Sequence, residues 1–282
     1  MSQRRKHWRD MADTERGIAY SPSASLPDGD LTPFLETYAK LSAETYAAHS
    51  DVQTLTYGKR PSNTVDLFRP SGNAALPLHI FIHGGYWRAL SKRESTFPAQ
   101  GFLDQGIAYA AVDYTLAPHA SLDEIVAECL AAVTMMFEQA QQLGVDPNRI
   151  SLSGSSAGAH LAAMTCLGLA PQHRPCAAIL LSGVFELEPL VGTYINDPVK
   201  MSIEGAHRNS PALKDVSNFP KALLAYGEIE PDEFKRQTHD FAAKLPEAQA
   251  LEVSGRNHFD VVHDLSNESA LAQHIAKLCV AD

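Results

Sequence analysis

The chain has 282 residues, 45% hydrophobic and 20% charged, a composition that excludes extensive disorder and fibrous architectures and can fill a large core. Its formal net charge of −10 leaves no basic footprint for nucleic acid or an anionic membrane surface, and no stretch approaches the roughly 20 apolar residues of a membrane span. Residues 1–8 carry Arg4, Arg5 and Lys6 but no apolar run behind them, so no export signal is expected, and the four scattered cysteines, Cys129, Cys166, Cys176 and Cys279, read as reduced, mostly buried thiols of a cytoplasmic protein.

No repeat, low-complexity tract or linker divides the sequence, so one domain over residues 1–282 is expected. A turn-rich stretch, 21–30, and an alanine-rich helix, 32–49, suggest a helical appendage over residues 1–50, packed on the main body. Segments 53–57 and 64–69 read as two edge strands joined by a turn at 58–63. Two short apolar runs follow, 78–82 ending in His83-Gly84-Gly85 and 107–112 ending in Asp113-Tyr114, and both read as buried parallel strands. Between 121 and 143 Ile125, Cys129, Ala132, Val133, Met136 and Phe137 recur at helical spacing, and Gly144 supplies a stop. A strand at 149–152, a helix at 156–169 and strands at 177–181 and 222–225 come next. The intervening stretch 185–220 has no clear period and prolines at 189, 198, 211 and 220, so it reads as an excursion of short helices that walls a pocket. A helix at 232–245, a last strand at 250–253 and a closing helix at 271–278 complete an α/β pattern: a mostly parallel central sheet with helices on both faces.

The sharpest chemical signal is Gly154-Ser155-Ser156-Ala157-Gly158, a G-x-S-x-G element between a predicted strand and a predicted helix. A glycine-serine turn that merely caps a helix is the bland alternative, but the strand before and the helix after are the context a nucleophilic serine requires. Small flanking residues let the backbone turn sharply, and helix onset after Ser156 aims N–H groups at developing negative charge. These features point to the α/β-hydrolase fold, in which the loop after the strand carrying His83-Gly84-Gly85-Tyr86-Trp87 supplies further oxyanion contacts. Gly85, Tyr86 and Ala157 are the expected donors. Tyr86 and Trp87, aromatics beside an oxyanion loop, either belong to the core or line an aryl pocket and are taken as substrate-binding candidates, while His83 is better read as a loop-orienting residue than as an acid, base or metal ligand.

The nucleophile needs a base, and in this fold the order is serine, acid, histidine. Among twelve histidines His258 fits, because Asn257-His258-Phe259 follows the last predicted strand. The acid should follow the preceding strand, where Glu228, Glu230, Asp232 and Glu233 compete; Glu230, three residues past Gly227 and before Pro231, is favoured, with Asp232 the alternative. There is no H-E-x-x-H, zinc-spaced Cys/His set, P-loop or G-x-G-x-x-G, so no metal or nucleotide cofactor is implied. The expected partner is a small-molecule substrate, and the sequence also admits a homodimer.

Taken together, His83-Gly84-Gly85-Tyr86-Trp87, Gly154-Ser155-Ser156-Ala157-Gly158, Glu230-Pro231-Asp232-Glu233-Phe234-Lys235-Arg236-Gln237 and Asn257-His258-Phe259 resemble the arylformamidase (kynurenine formamidase) branch of the α/β-hydrolases, over roughly residues 50–280. The resemblance implies cleavage of N-formyl-L-kynurenine to kynurenine and formate, with the acid falling on Glu230, where the family often has Asp. Asp113-Tyr114-Thr115-Leu116-Ala117-Pro118 is similar to a stretch common to hormone-sensitive-lipase relatives, which keeps a carboxylesterase, or an amidase for another acyl-arylamine, as the alternative. A non-catalytic binding protein on the same scaffold is a third reading, disfavoured because every triad position can be assigned.

Overall fold

The structure is a computed structural model that describes residues 6–72 and 75–265, together with 269, 271, 272 and 275. Its centre is an eight-stranded sheet in the order β1-β2-β4-β3-β5-β6-β7-β8. The strands are β1 (Gln53–Thr56), β2 (Thr64–Phe68), β3 (Leu76–Ile82), β4 (Ala108–Val112), β5 (Val145–Ser155), β6 (Ala177–Leu181), β7 (Ala222–Ile229) and β8 (Ala248–Asn257). β1 and β2 pair antiparallel, as do β2 and β4, and every pairing from β4 through β3 to β8 is parallel. The chain therefore has the α/β-hydrolase architecture. Only β1 of the first hairpin lies at an edge; β2, expected there too, is flanked by β4 because its Val65, Leu67 and Phe68 are apolar enough to be buried.

Side-chain alternation divides the core into two layers. On one face Ile80, Ile82, Ala110, Leu152, Leu180 and Leu224 pack with helices α4 (Leu122–Glu138), α5 (Ala157–Gly168) and α7 (Asp232–Ala242). On the other, Phe81, Tyr109, Ala111, Ile179, Leu181 and Leu223 meet Tyr38 of α2 (Thr32–Ala48), Phe102 of α3 (Ala99–Leu103), and Val262 and Leu265. Successive strand residues thus face opposite layers, which explains why these strands read as unbroken apolar runs. α4 opens on a capping box, Ser121 Oγ accepting the Glu124 N–H while Glu124 accepts the Ser121 N–H at 2.8 Å. It ends at Glu138 rather than 143, because the chain turns into Gly144, at φ +66°, before β5.

Two shorter helices complete the set, α1 (Asp13–Ala19) and, within the 185–220 excursion, α6 (Ile203–Arg208). The first fifty residues are tied down by long-range contacts. Arg16 Nε donates to the Pro189 carbonyl at 2.9 Å, and the fully buried Tyr20 donates its hydroxyl to Glu233 at 2.6 Å. Tyr38 likewise donates to the Phe259 carbonyl. Among the described residues no helix is long and apolar enough to cross a membrane, and no cluster of three metal-ligating side chains occurs. Burial pushes the thiols of Cys129 and Cys166 up, the latter to about 12, so neither has the thiolate character of a nucleophile. Most of the expected closing helix, with His274 and Cys279, lies outside the described residues.

Candidate active site

β5 delivers the chain to Ser155 and α5 begins at Ala157, so Ser156 alone makes the turn, at φ 58° and ψ −122°. A non-glycine residue there carries about 1 to 3 kcal/mol of backbone strain, which the surrounding packing must hold. The neighbours explain how. A Cβ on Gly154 would lie 2.2 Å from the Gly158 carbonyl oxygen, and one on Gly158 would lie 2.1 Å from that of Ile82, so helix and strands meet at a separation only glycine allows. The Ser156 N–H donates to the Leu181 carbonyl at 2.7 Å, fixing the elbow to the end of β6.

His258 follows β8 directly. The Asn257 side chain accepts the Phe259 N–H at 2.8 Å and the Asn257 N–H donates to Asp260 at 2.6 Å, a tight turn that aims the imidazole inward. Its Nε2 lies 2.9 Å from Ser156 Oγ and its Nδ1 2.9 Å from Glu230 Oε2. The Glu230 carboxylate is buried; its other oxygen accepts the Ser182 hydroxyl at 2.5 Å and the Gly227 N–H at 2.6 Å. A carboxylate at Nδ1 requires that nitrogen to carry the proton, which leaves Nε2 as acceptor for the Ser156 hydroxyl. Asp232, the alternative acid, is exposed at the start of α7, Glu233 is committed to Tyr20, and Glu228 accepts from Ser254 and Gly255. Ser182 has no counterpart in the sequence reading; a Ser-Gly pair directly after a buried strand was the available signal.

The His83-Gly84-Gly85-Tyr86-Trp87 loop crosses above β3 with three successive positive φ values, 95° at Gly85, 48° at Tyr86 and 60° at Trp87. Among the described residues the N–H groups of Gly85, Tyr86 and Ala157 donate to no other group of the protein; Gly85 and Tyr86 line the cavity, and Ala157 lies buried directly after Ser156. Buried His83 stacks on Tyr114, with centroids 4.1 Å apart, and the Tyr114 hydroxyl donates to the carbonyls of His83 and Gly84. Trp87 requires a correction. It is fully buried and absent from the cavity wall, because its indole N–H donates inward to His160 Nδ1 at 3.2 Å, while His160 Nε2 donates to the Asn209 carbonyl at 2.6 Å. Burial pulls His160 down to about 4, so it stays neutral and serves as a fixed acceptor beneath the loop.

Ser156 and His258 open into a cavity of about 220 Å³. Its wall includes Tyr86 and, from the first fifty residues, Ser21, Ser23, Leu31, Leu35 and Tyr38; the 185–220 excursion contributes Tyr194 and Ile195. The segment expected to be an appendage therefore supplies more of the wall than the excursion does. The Glu-Phe-Lys-Arg-Gln run on α7 explains the arrangement. Gln237 accepts the N–H groups of Phe185 and Glu186 at 2.6 and 2.8 Å and donates to Tyr20 Oη, which Arg236 also reaches.

The BD-FAE family model matches residues 65–204. A kynurenine formamidase from Danio rerio is 32% identical over 94% of this chain and 95% of its own length. An isoprenylcysteine alpha-carbonyl methylesterase from Arabidopsis thaliana is 29% identical over 74% of this chain and 56% of its own. Among solved structures, a Silicibacter chain superposes with a TM-score of 0.79 at 28% identity, covering 90% of this chain and 96% of that one. An esterase from Pyrobaculum calidifontis gives 0.71 at 22%, covering 89% and 92%, and bears on the fold alone.

Proposed function

Because the chain belongs to the kynurenine formamidase family of the α/β-hydrolases, and is a hydrolase of ester or amide bonds on that ground, we propose that it cleaves N-formylated arylamines, N-formyl-L-kynurenine first among them. The observation that carries the reading is the unbroken path Ser156 Oγ, His258 Nε2, His258 Nδ1, Glu230 Oε2, with both separations 2.9 Å, where Ser156 and His258 line a cavity of about 220 Å³. In this reading Ser156 attacks the formyl carbonyl while His258 takes its proton, and Glu230 holds the tautomer and balances the imidazolium. The N–H groups of Gly85, Tyr86 and Ala157 receive the oxyanion, each lowering the barrier by about 3 kcal/mol. His258 then returns the proton to the arylamine nitrogen as the C–N bond breaks, and water, activated by the same histidine, releases formate from the formyl-serine.

An esterase reading has support of its own, since the plant methylesterase aligns with three quarters of the chain and the same machinery cleaves both bonds. kcat/KM for N-formyl-L-kynurenine beside 4-nitrophenyl acetate, with Ser156→Ala as control, separates the two. A preference for the formamide, lost in the variant, supports the formamidase; ester turnover without formamide cleavage removes it and leaves an esterase. Labelling of Ser156 by a fluorophosphonate probe checks the nucleophile independently.

A further inference from the structure

The cavity wall is largely apolar, from Leu31, Leu35, Phe97 and Phe259, yet it contains a guanidinium side chain, Arg88, and a carboxylate side chain, Glu94. Neither has an ion-pair partner among the described residues, whereas Arg16, Arg60, Arg208, Arg236 and Arg256 each sit within 3 Å of a carboxylate. Both backbones are held in place. The Arg88 N–H donates to the Gly85 carbonyl at 3.0 Å, which fixes the backbone of this exposed residue to the loop beside the serine, and its charge acts on the half-buried Tyr86 phenol. Glu94 is positioned by Ser91, whose hydroxyl donates to it at 2.8 Å, and by the buried Lys92–Asp66 pair, 2.6 Å apart, that anchors the preceding turn. Opposite charges that line one cavity without closing on each other are arranged for a ligand carrying both signs.

Resting on the formamidase reading, we infer that Arg88 receives the carboxylate, and Glu94 the ammonium, of an α-amino-acid head on the substrate, so that the cavity selects acylated arylamines with a zwitterionic side chain. The guanidinium fork matches a carboxylate with two parallel hydrogen bonds, while the Glu94 oxygen that Ser91 leaves open accepts from an ammonium. The apolar wall between takes the aryl ring, and the loop carrying Arg88 places the head relative to the carbonyl that Gly85 and Tyr86 face. Head recognition and oxyanion recognition then share one short rigid segment.

The test compares kcat/KM for N-formyl-L-kynurenine with that for 2-formamidoacetophenone, which keeps the formanilide and ketone but has no amino-acid head, in wild type, Arg88→Gln, Arg88→Lys and Glu94→Gln. The inference requires a wild-type preference for the headed substrate of at least about tenfold, the size of one charged hydrogen bond. Arg88→Gln should collapse that ratio through KM, Arg88→Lys should restore part of it, and added salt should erode it in wild type. A wild-type ratio near one, or a ratio that survives in Arg88→Gln, overturns the inference while leaving the formamidase reading standing. Cleavage of neither formamide by an enzyme that turns over 4-nitrophenyl acetate removes that reading itself.

Discussion

Replacing Glu230 by Gln changes one atom type and, by the geometry here, should block proton transfer from Ser156 to His258. Oε1 accepts from both the Ser182 hydroxyl and the Gly227 N–H, at 2.5 and 2.6 Å, so the glutamine carbonyl must take that position; the amide nitrogen there would face two donors. The NH2 group is then left against His258 Nδ1, 2.9 Å away, and that nitrogen must become an acceptor. The ring proton moves to Nε2, which points at Ser156 and can no longer accept its hydroxyl proton. A triad locked in the wrong tautomer loses about four orders of magnitude in kcat, or about 5.4 kcal/mol at 1.36 kcal/mol per decade. Volume and hydrogen-bond count are nearly conserved, so thermal melting should shift little. The assay is kcat/KM on the preferred substrate with melting as the control, and Asp232→Asn, altering an exposed helix start, should stay within about twofold of wild type. If Glu230→Gln keeps activity within tenfold, or Asp232→Asn loses as much, the assignment of the acid is wrong.

Ser182→Ala removes one of three donors to the buried carboxylate and should destabilise the fold by about 1.5 to 3 kcal/mol, read by urea unfolding, with a smaller loss in kcat than Glu230→Gln. Trp87→Phe deletes the indole bond to His160 beneath the loop; kcat should fall while KM for aryl substrates is retained, and a selective rise in KM would return Trp87 to the cavity wall. Acid should unfold the protein early. Burial depresses His79 to about 3 and His160 to about 4, so each is neutral when folded and binds a proton on unfolding below about pH 6.5. Their contribution is complete above that value and is lost as pH falls toward the folded values, each costing about 1.36 kcal/mol per pH unit, or about 4 kcal/mol together between pH 6.5 and 5. His79→Gln should halve that slope in chemical denaturation, and an unchanged slope would contradict the neutral buried ring.

How much of this was legible beforehand depended on the range of the forces involved. The elbow at Ser156 was readable because a strand, a sharp turn and a helix are local, and glycines at 154 and 158 report backbone crowding directly. Glu230 could be favoured over Asp232 because three residues past Gly227 is where a chain leaving β7 turns back toward its neighbours. Ser182 was not readable, since its partner lies 48 residues away across the ends of two strands. Trp87 was misjudged because an aromatic beside an oxyanion loop looks the same in sequence whether it turns outward or, as here, toward His160. The first fifty residues were underrated for a related reason: Tyr20 meets Glu233 across 213 positions, and no local pattern announces such a contact.

That contact also sets an order of events at the ribosome. Residues 20–38, which wall the cavity, emerge long before 230–259, whose Glu233, Gln237 and Phe259 they dock against. Early in synthesis this segment can close only on part of its surface, the Tyr86 hydroxyl that donates to the Tyr20 carbonyl and the Phe97 ring that stacks on Tyr38. Since Glu230 and His258 also lie far along the chain, the hydrogen-bonded path from Ser156 is complete only once the last quarter has been made.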